Sequence, residues 1–87
     1  MENIYITHSS YVEDYILLLT FNNGIKKEVN LEPYLDQPIF EPLKDKLVFR
    51  NFTLNPFTIQ WENGADFSPE FLYSIGKTTE GKSTILN

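Results

Sequence analysis

The hydrophobic pattern is strongest between residues 15 and 31. Tyr15–Phe21 is apolar on both faces of an extended chain, which is typical of a central strand with neighbours beside it. Asn22-Asn23-Gly24 follows directly and supplies the positive-φ positions that a tight reversal requires. In the returning segment Ile25, Val29 and Leu31 fall on one face with a period of two. These features predict an antiparallel hairpin.

Shorter alternations predict three further strands. Ile4–Thr7 alternates before His8-Ser9-Ser10, which we interpret as a turn. Val48–Leu54 and Phe57–Trp61 also alternate, and Asn55-Pro56 between them marks a turn. The two segments therefore form a second predicted hairpin.

Helical signals lie between and after these strands. Three prolines forbid one continuous helix between residues 32 and 45, so short helical turns are expected there: Pro33, Pro38 and Pro42. Ser68 offers a capping hydroxyl before Pro69, and Gly76 is placed to end a helix from Pro69 to about Ile75. The buried stripe of that helix is Phe71, Leu72 and Ile75.

The predicted fold class is α+β: a small antiparallel β-sheet of about five strands, short helical turns and one short C-terminal helix. A chain of 87 residues fills one core, so we expect a single folded domain over residues 1–76. Residues 77–87 are predicted to form a mobile polar tail, because the stretch Lys77–Thr84 is almost without apolar side chains. We expect no targeting segment and no membrane insertion, because the longest apolar run is far shorter than a bilayer span.

The charge balance changes the expected partners. Twelve acidic and seven basic residues give a net charge of −5, and residues 1–76 alone carry −6. Such a chain repels phosphate backbones, so nucleic acid is an unfavourable partner and a basic protein a favourable one. Cysteine is absent, which excludes disulfides and thiolate metal sites and agrees with a cytoplasmic location.

No residue set predicts catalysis, a metal or a cofactor. His8 is the single histidine, and its neighbours in sequence, Ser9 and Ser10, are no evidence for triad geometry. The carboxylates are too scattered for a hard-cation loop, and the four glycines lack phosphate-binding spacing. We therefore expect no enzymatic activity and no cofactor.

Four residues form the candidate partner-binding surface: Asp66, Glu70, Glu62 and Tyr73. Asp66 and Glu70 flank the start of the predicted helix, where a carboxylate equally serves to stabilise the helix N-terminus. Tyr73 and Trp61 are aromatics with polar groups, which are enriched at interfaces. For Trp61 a place in the core is the better prediction, since it continues an apolar alternation.

Three stretches together resemble a known family: Phe21–Leu31, Phe40–Phe49 and Trp61–Tyr73. Their order and spacing are similar to those of the bacterial domain-of-unknown-function family 2442, over roughly residues 5 to 73. The resemblance implies a compact α+β domain with a β-rich core and no established catalytic residues. It also implies a gene placed beside that of a small basic protein, as in toxin–antitoxin pairs. Glu62 departs from the family, which commonly has proline there.

The preferred hypothesis is a non-enzymatic protein-interaction module, with the antitoxin-like member of a two-protein pair as its specific form. The alternative is a small DNA-binding transcriptional regulator with a local basic patch of Lys26, Lys27, Lys44, Lys46 and Arg50. A homodimer through a sheet edge is compatible with either.

Overall fold

A computed structural model describes residues 3–79 of the chain. The main sheet has four antiparallel strands in the spatial order β1-β2-β3-β6. A separate pair, β4 and β5, forms a two-stranded sheet. The strands are β1 (Ile6–Glu13), β2 (Ile16–Phe21), β3 (Lys26–Asn30), β4 (Thr53–Leu54), β5 (Ile59–Gln60) and β6 (Lys77–Thr78).

Strand β2 is the centre of the main sheet, as its sequence predicts. Leu17, Leu19 and Phe21 are fully buried on one face, while β1 and β3 pair with its two edges. Gly24 takes a φ of 86°, and its N–H donates to the carbonyl of Phe21 at 2.8 Å, which closes the reversal into β3. The predicted hairpin is therefore confirmed, with Gly24 as its left-handed residue.

The predicted turn at His8–Ser10 is wrong, because these residues lie within β1. They pair in register with Leu18–Thr20 of β2, and this non-local pairing outweighs the turn preference of serine. The chain instead reverses at Asp14, the one non-glycine residue with positive φ in the described part of the chain (48°).

The proline-containing segment forms short helical turns, as predicted. Two 3₁₀ helices span Glu32–Tyr34 and Pro38–Lys44, and the helix α1 follows at Lys46–Phe49. The strand predicted over Val48–Leu54 is wrong in its first half, since Val48 and Phe49 belong to α1. The Asp45 carboxylate accepts from the Leu47 N–H at 2.9 Å, and this cap begins a helix that buries Phe49 completely.

The second hairpin exists in a shorter form than predicted. Asn55 Oδ1 accepts from the backbone N–H groups of Phe57 and Thr58, which holds the turn between β4 and β5. Ile59 and Trp61 are buried as expected, but Phe57 is 65% exposed because it lies in the turn rather than on the core face.

The C-terminal helix α2 spans Pro69–Ile75, as predicted. The Ser68 hydroxyl accepts from the Phe71 N–H at 3.1 Å, which confirms the cap. Gly76 ends α2 against β3, where an added Cβ would lie only 2.9 Å from the Cβ of Lys27. Close approach, not positive φ, is therefore what requires glycine there.

The sheet continues beyond Gly76, which corrects the predicted start of the tail at residue 77. Lys77 pairs with Glu28 and Thr78 with Lys27, so these two residues are the edge strand β6. The Thr79 N–H then donates to the Lys26 carbonyl at 3.2 Å, and residues 80–87 of the predicted tail lie outside the described residues. The α+β class is confirmed, although the strands divide between two sheets.

The core lies between the main sheet, α2 and the loops that connect them. None of the helices in residues 3–79 is long and apolar enough to cross a membrane. The buried apolar residues are Ile6, Leu17, Leu19, Phe21, Val29, Leu31, Leu35, Leu43, Phe49, Ile59, Trp61, Ala65, Phe67 and Leu72.

Candidate protein-interaction groove

A groove lies between the two 3₁₀ helices and the start of α2. Its volume is about 510 Å³. We call it the aromatic groove. Its lining residues are Pro33, Tyr34, Asp36, Gln37, Phe40, Asp66, Phe67, Ser68 and Phe71.

Stacked aromatic rings form the apolar side of the groove. The rings of Phe40 and Phe67 are parallel, with centroids 4.6 Å apart, and Phe67 stacks in turn on Phe71 at 5.9 Å. Tyr34 meets the Phe71 ring edge-on at 5.1 Å. Such pairs add to the stability that burial alone gives, so the shape of this surface is largely fixed.

A short loop sets the positions of Asp66 and Phe67. Gly64, at φ 90°, donates to the Trp61 carbonyl, and the Trp61 N–H donates to the carbonyl of Ala65, both at 2.9 Å. The chain then runs extended, so Ala65 and Phe67 point into the core and Asp66 points outward. One ring of the aromatic wall, Phe67, and one carboxylate of the groove, Asp66, therefore come from the same extended segment.

The polar rim of the groove is acidic. Asp36 has a side chain that is 89% exposed, and Asp66 is also exposed. No lysine, arginine or histidine is among the lining residues. Lys44 Nζ lies 3.8 Å from the Asp36 carboxylate, but it lies closer to that of Glu41, at 3.4 Å. Because all three side chains are exposed, these ion pairs are weak and leave the rim available to another cation.

Of the four residues predicted from the sequence, only Asp66 lies in the aromatic groove. Glu62 lines a separate depression beside Trp61, and Glu70 lines a third beside Tyr5. Asp66 and Glu70 therefore line different depressions, and their action as one partner-binding surface stays a prediction.

Tyr73, the fourth predicted residue, makes several contacts within the fold. Its ring packs edge-on against Phe21 with centroids 5.0 Å apart, and Lys27 Nζ lies 3.7 Å from its centroid. The same ammonium donates to the Tyr73 carbonyl at 2.6 Å, and Asn23 donates to its hydroxyl at 3.2 Å. These contacts join α2 to β3 and its turn.

The family model for Protein of unknown function (DUF2442) matches residues 6–78. The chain belongs to this family. No curated protein and no solved structure matches the chain. The matched span contains every residue of the aromatic groove, so the groove belongs to the family domain of this member and not to an appended segment.

The five basic residues of the patch suggested for DNA binding lie on separate elements. Lys26 and Lys27 lie on β3, whereas Lys44, Lys46 and Arg50 follow one another from the second 3₁₀ helix to the end of α1. Lys46 Nζ lies 3.0 Å from Asp14, and this hydrogen bond raises the pKa of Lys46 above its ordinary value. The Arg50 guanidinium lies over the ring of Tyr11, 5.5 Å from its centroid.

The histidine and the clustering of carboxylates bear on catalysis and metal binding. The ring of His8 is exposed, and its Nδ1 lies 3.2 Å from the hydroxyl of Thr7. Within the described residues, no three histidine or carboxylate side chains come together as a metal site. Asp36 is not predictable as a site residue from the sequence, because it shares a groove with Asp66, thirty positions further along the chain, only in the folded structure.

Proposed function

We propose that this protein is a non-enzymatic interaction module whose aromatic groove binds a basic segment of a protein partner. One observation carries the proposal: exposed carboxylates, Asp36 and Asp66, flank a stacked aromatic wall with no cation among the lining residues. The groove thus combines apolar surface with two exposed carboxylates, and the one ion pair between them and Lys44, at Asp36, is exposed and weak.

The complementary ligand is a segment that carries lysine or arginine. Their methylene stems pack on apolar surface while the charged ends reach water or a carboxylate. An arginine can also stack on an aromatic ring, which adds about 0.5 to 2 kcal/mol. Phe40 and Phe71 are partly exposed and offer rings for such contacts, and Asp36 and Asp66 offer the charge.

The overall charge supports the same class of partner. The net charge of −5 accelerates encounter with a basic protein and slows encounter with polyanions. The resemblance noted above implies bacterial gene pairs with a small basic protein, so the antitoxin-like member of such a pair is the specific role that we propose. A cytoplasmic site of action is part of the proposal and agrees with the absence of cysteine.

The test is binding of the adjacent gene's product to matched charge variants. Asp36→Asn and Asp66→Asn, combined, remove two charges from the groove. Glu62→Gln and Glu70→Gln, combined, remove two charges from exposed positions outside it. Calorimetry should show the first pair binding about tenfold more weakly or worse, equivalent to about 1.4 kcal/mol, and the second pair little changed.

A salt series completes the experiment. Affinity of the unaltered protein should fall as salt rises, and the groove variant should lose part of that dependence. If both variant pairs weaken binding equally, net charge and not the groove would be responsible. Absence of binding to the adjacent gene's product would contradict the proposed role as member of a pair.

A further inference from the structure

The outer edge of β1 carries backbone groups whose direction follows from the register of the sheet. The Leu31 N–H donates to the Tyr15 carbonyl and the Phe21 N–H to the Ile25 carbonyl, both at 2.9 Å. In an antiparallel ladder these two bonds place the backbone groups of Leu17 and Leu19 toward β3. The backbone N–H and C=O groups of the residues between and after them, Leu18 and Thr20, therefore point toward β1.

The backbone groups of β1 alternate in direction in the same way. Leu18 and Thr20 exchange hydrogen bonds with their partners Ser10 and His8. Ser9 and Tyr11, which lie between and beside these partners, must then direct their N–H and C=O groups outward. No other backbone group of residues 3–79 bonds to the outward groups of Ser9 or Tyr11.

Two irregularities limit the open part of this edge. The register shifts between Ile6 and His8 and again between Tyr11 and Glu13, which marks a β-bulge at each end. The N–H of Ile6 is already occupied by the Phe57 carbonyl at 2.9 Å. Ser9 and Tyr11 are thus the two consecutive outward positions of a regular segment centred on Ser10.

We propose that a second copy of this chain pairs with β1 in antiparallel orientation, with Ser10 opposite Ser10 of the second copy. In this register Ser9 faces Tyr11 of the second copy, and Tyr11 faces its Ser9. In each of these pairs the outward N–H and C=O groups of the two residues face each other and form two backbone hydrogen bonds. The contact is isologous and closes after two copies, as in most dimers.

Charge favours a second copy at this edge. Between Ile6 and Val12 the strand has no lysine, arginine, aspartate or glutamate, and no proline. Edge strands that avoid pairing usually carry such residues. Glu13 lies beyond the second bulge and outside the paired segment, so no like charges come opposite one another. On the exposed face of the sheet, Val12, which is 43% exposed, would lie opposite His8 of the second copy.

Cysteine substitution tests both the dimer and its register, since the chain has no native cysteine. Ser10→Cys places the two thiols across the two-fold axis, where opposed Cα atoms lie about 4.5 Å apart, within the range of a disulfide. Val12→Cys lies on the same exposed face, but its two copies are offset by four residues, about 13 Å. Mild oxidation should therefore cross-link the first variant and not the second.

Mass measurements give a second and independent readout. Sedimentation of the unaltered protein should show a concentration-dependent dimer, and Ser10→Lys should shift it to the monomer through like-charge repulsion across the axis. Val12→Lys, the matched control, should remain dimeric, because its two copies are offset by four residues and the two ammonium groups do not face each other. A monomer at every concentration would overturn the proposal. Equal cross-linking of the two cysteine variants, or none in a confirmed dimer, would overturn the register.

Discussion

Trp61 offers the sharpest test of the packing argument, because its side chain is both buried and hydrogen-bonded. It is 3% exposed, and its Nε1–H donates to the Phe49 carbonyl at 2.7 Å. Its ring lies 5.7 Å from Phe49 and 6.0 Å from Phe67, measured between centroids. Trp61 therefore links α1 to the aromatic wall of the groove, and its loss affects both.

Two substitutions separate the contributions. Trp61→Ala should lower the free energy of unfolding by about 3 to 5 kcal/mol, the cost of truncating a buried aromatic. Trp61→Phe keeps a ring in the core but leaves the Phe49 carbonyl without its donor, which should cost about 1 to 3 kcal/mol. An 87-residue domain is stable by only about 4 to 13 kcal/mol in total, so the alanine variant loses a large share.

Urea titration measures both values. Far-UV circular dichroism is the suitable signal, because Trp61 is the single tryptophan and its fluorescence disappears with it. The denaturant slope should stay unchanged while the midpoint falls. Phe57→Ala is the matched control: this ring is exposed, and its removal should change stability by about 0.5 kcal/mol or less. A loss below about 1 kcal/mol for Trp61→Ala would refute the reasoning.

Three further predictions concern the helix and the alternative function. Ser68→Ala removes the cap on the Phe71 N–H and should cost about 1 kcal/mol in urea titration; an unchanged midpoint would contradict it. Gly76→Ala should lower the free energy of unfolding by about 1 to 3 kcal/mol, because the added Cβ would clash with the side chain of Lys27. A gain in stability in the same titration would show that β3 shifts to make room for the methyl group. Duplex DNA should show no appreciable mobility shift with the protein alone. Submicromolar binding with a steep salt dependence would instead favour the DNA-binding regulator.

Local signals were sufficient where the structure is local. Gly24 after two asparagines marks the turn between β2 and β3, and Ser68-Pro69 marks the start of α2. In each case a side chain or a backbone preference satisfies hydrogen bonds within a few residues of itself. Both elements were therefore predictable from sequence alone.

The errors came where distant partners decide the structure. The residue types of His8–Ser10 favour a turn, yet backbone pairing with β2 makes this segment part of β1. Val48 and Phe49 alternate as a strand does, yet the cap from Asp45 and the burial of Phe49 produce a helix. Short alternations do not distinguish these outcomes, since tertiary contacts outweigh propensities of a few tenths of a kcal/mol.

The aromatic groove was beyond the reach of sequence patterns for the same reason. Its carboxylates, Asp36 and Asp66, belong to segments that meet only after the 3₁₀ helices fold back toward α2. Asp66 was predicted as a site residue from its place before the helix, but with Glu70 as its companion. Asp66 lines the groove, whereas Glu70 lines a different depression.

The two proposed contacts are independent, because the aromatic groove takes no residue from β1. A dimer through β1 would therefore carry two grooves and should bind two partner molecules. Ser10→Lys should then lower the mass without changing the affinity of each groove. The Asp36→Asn, Asp66→Asn variant should lower the affinity without changing the mass. A variant that altered both quantities would show that the contacts are coupled, and the geometry gives no shared residue through which sites this separate would couple.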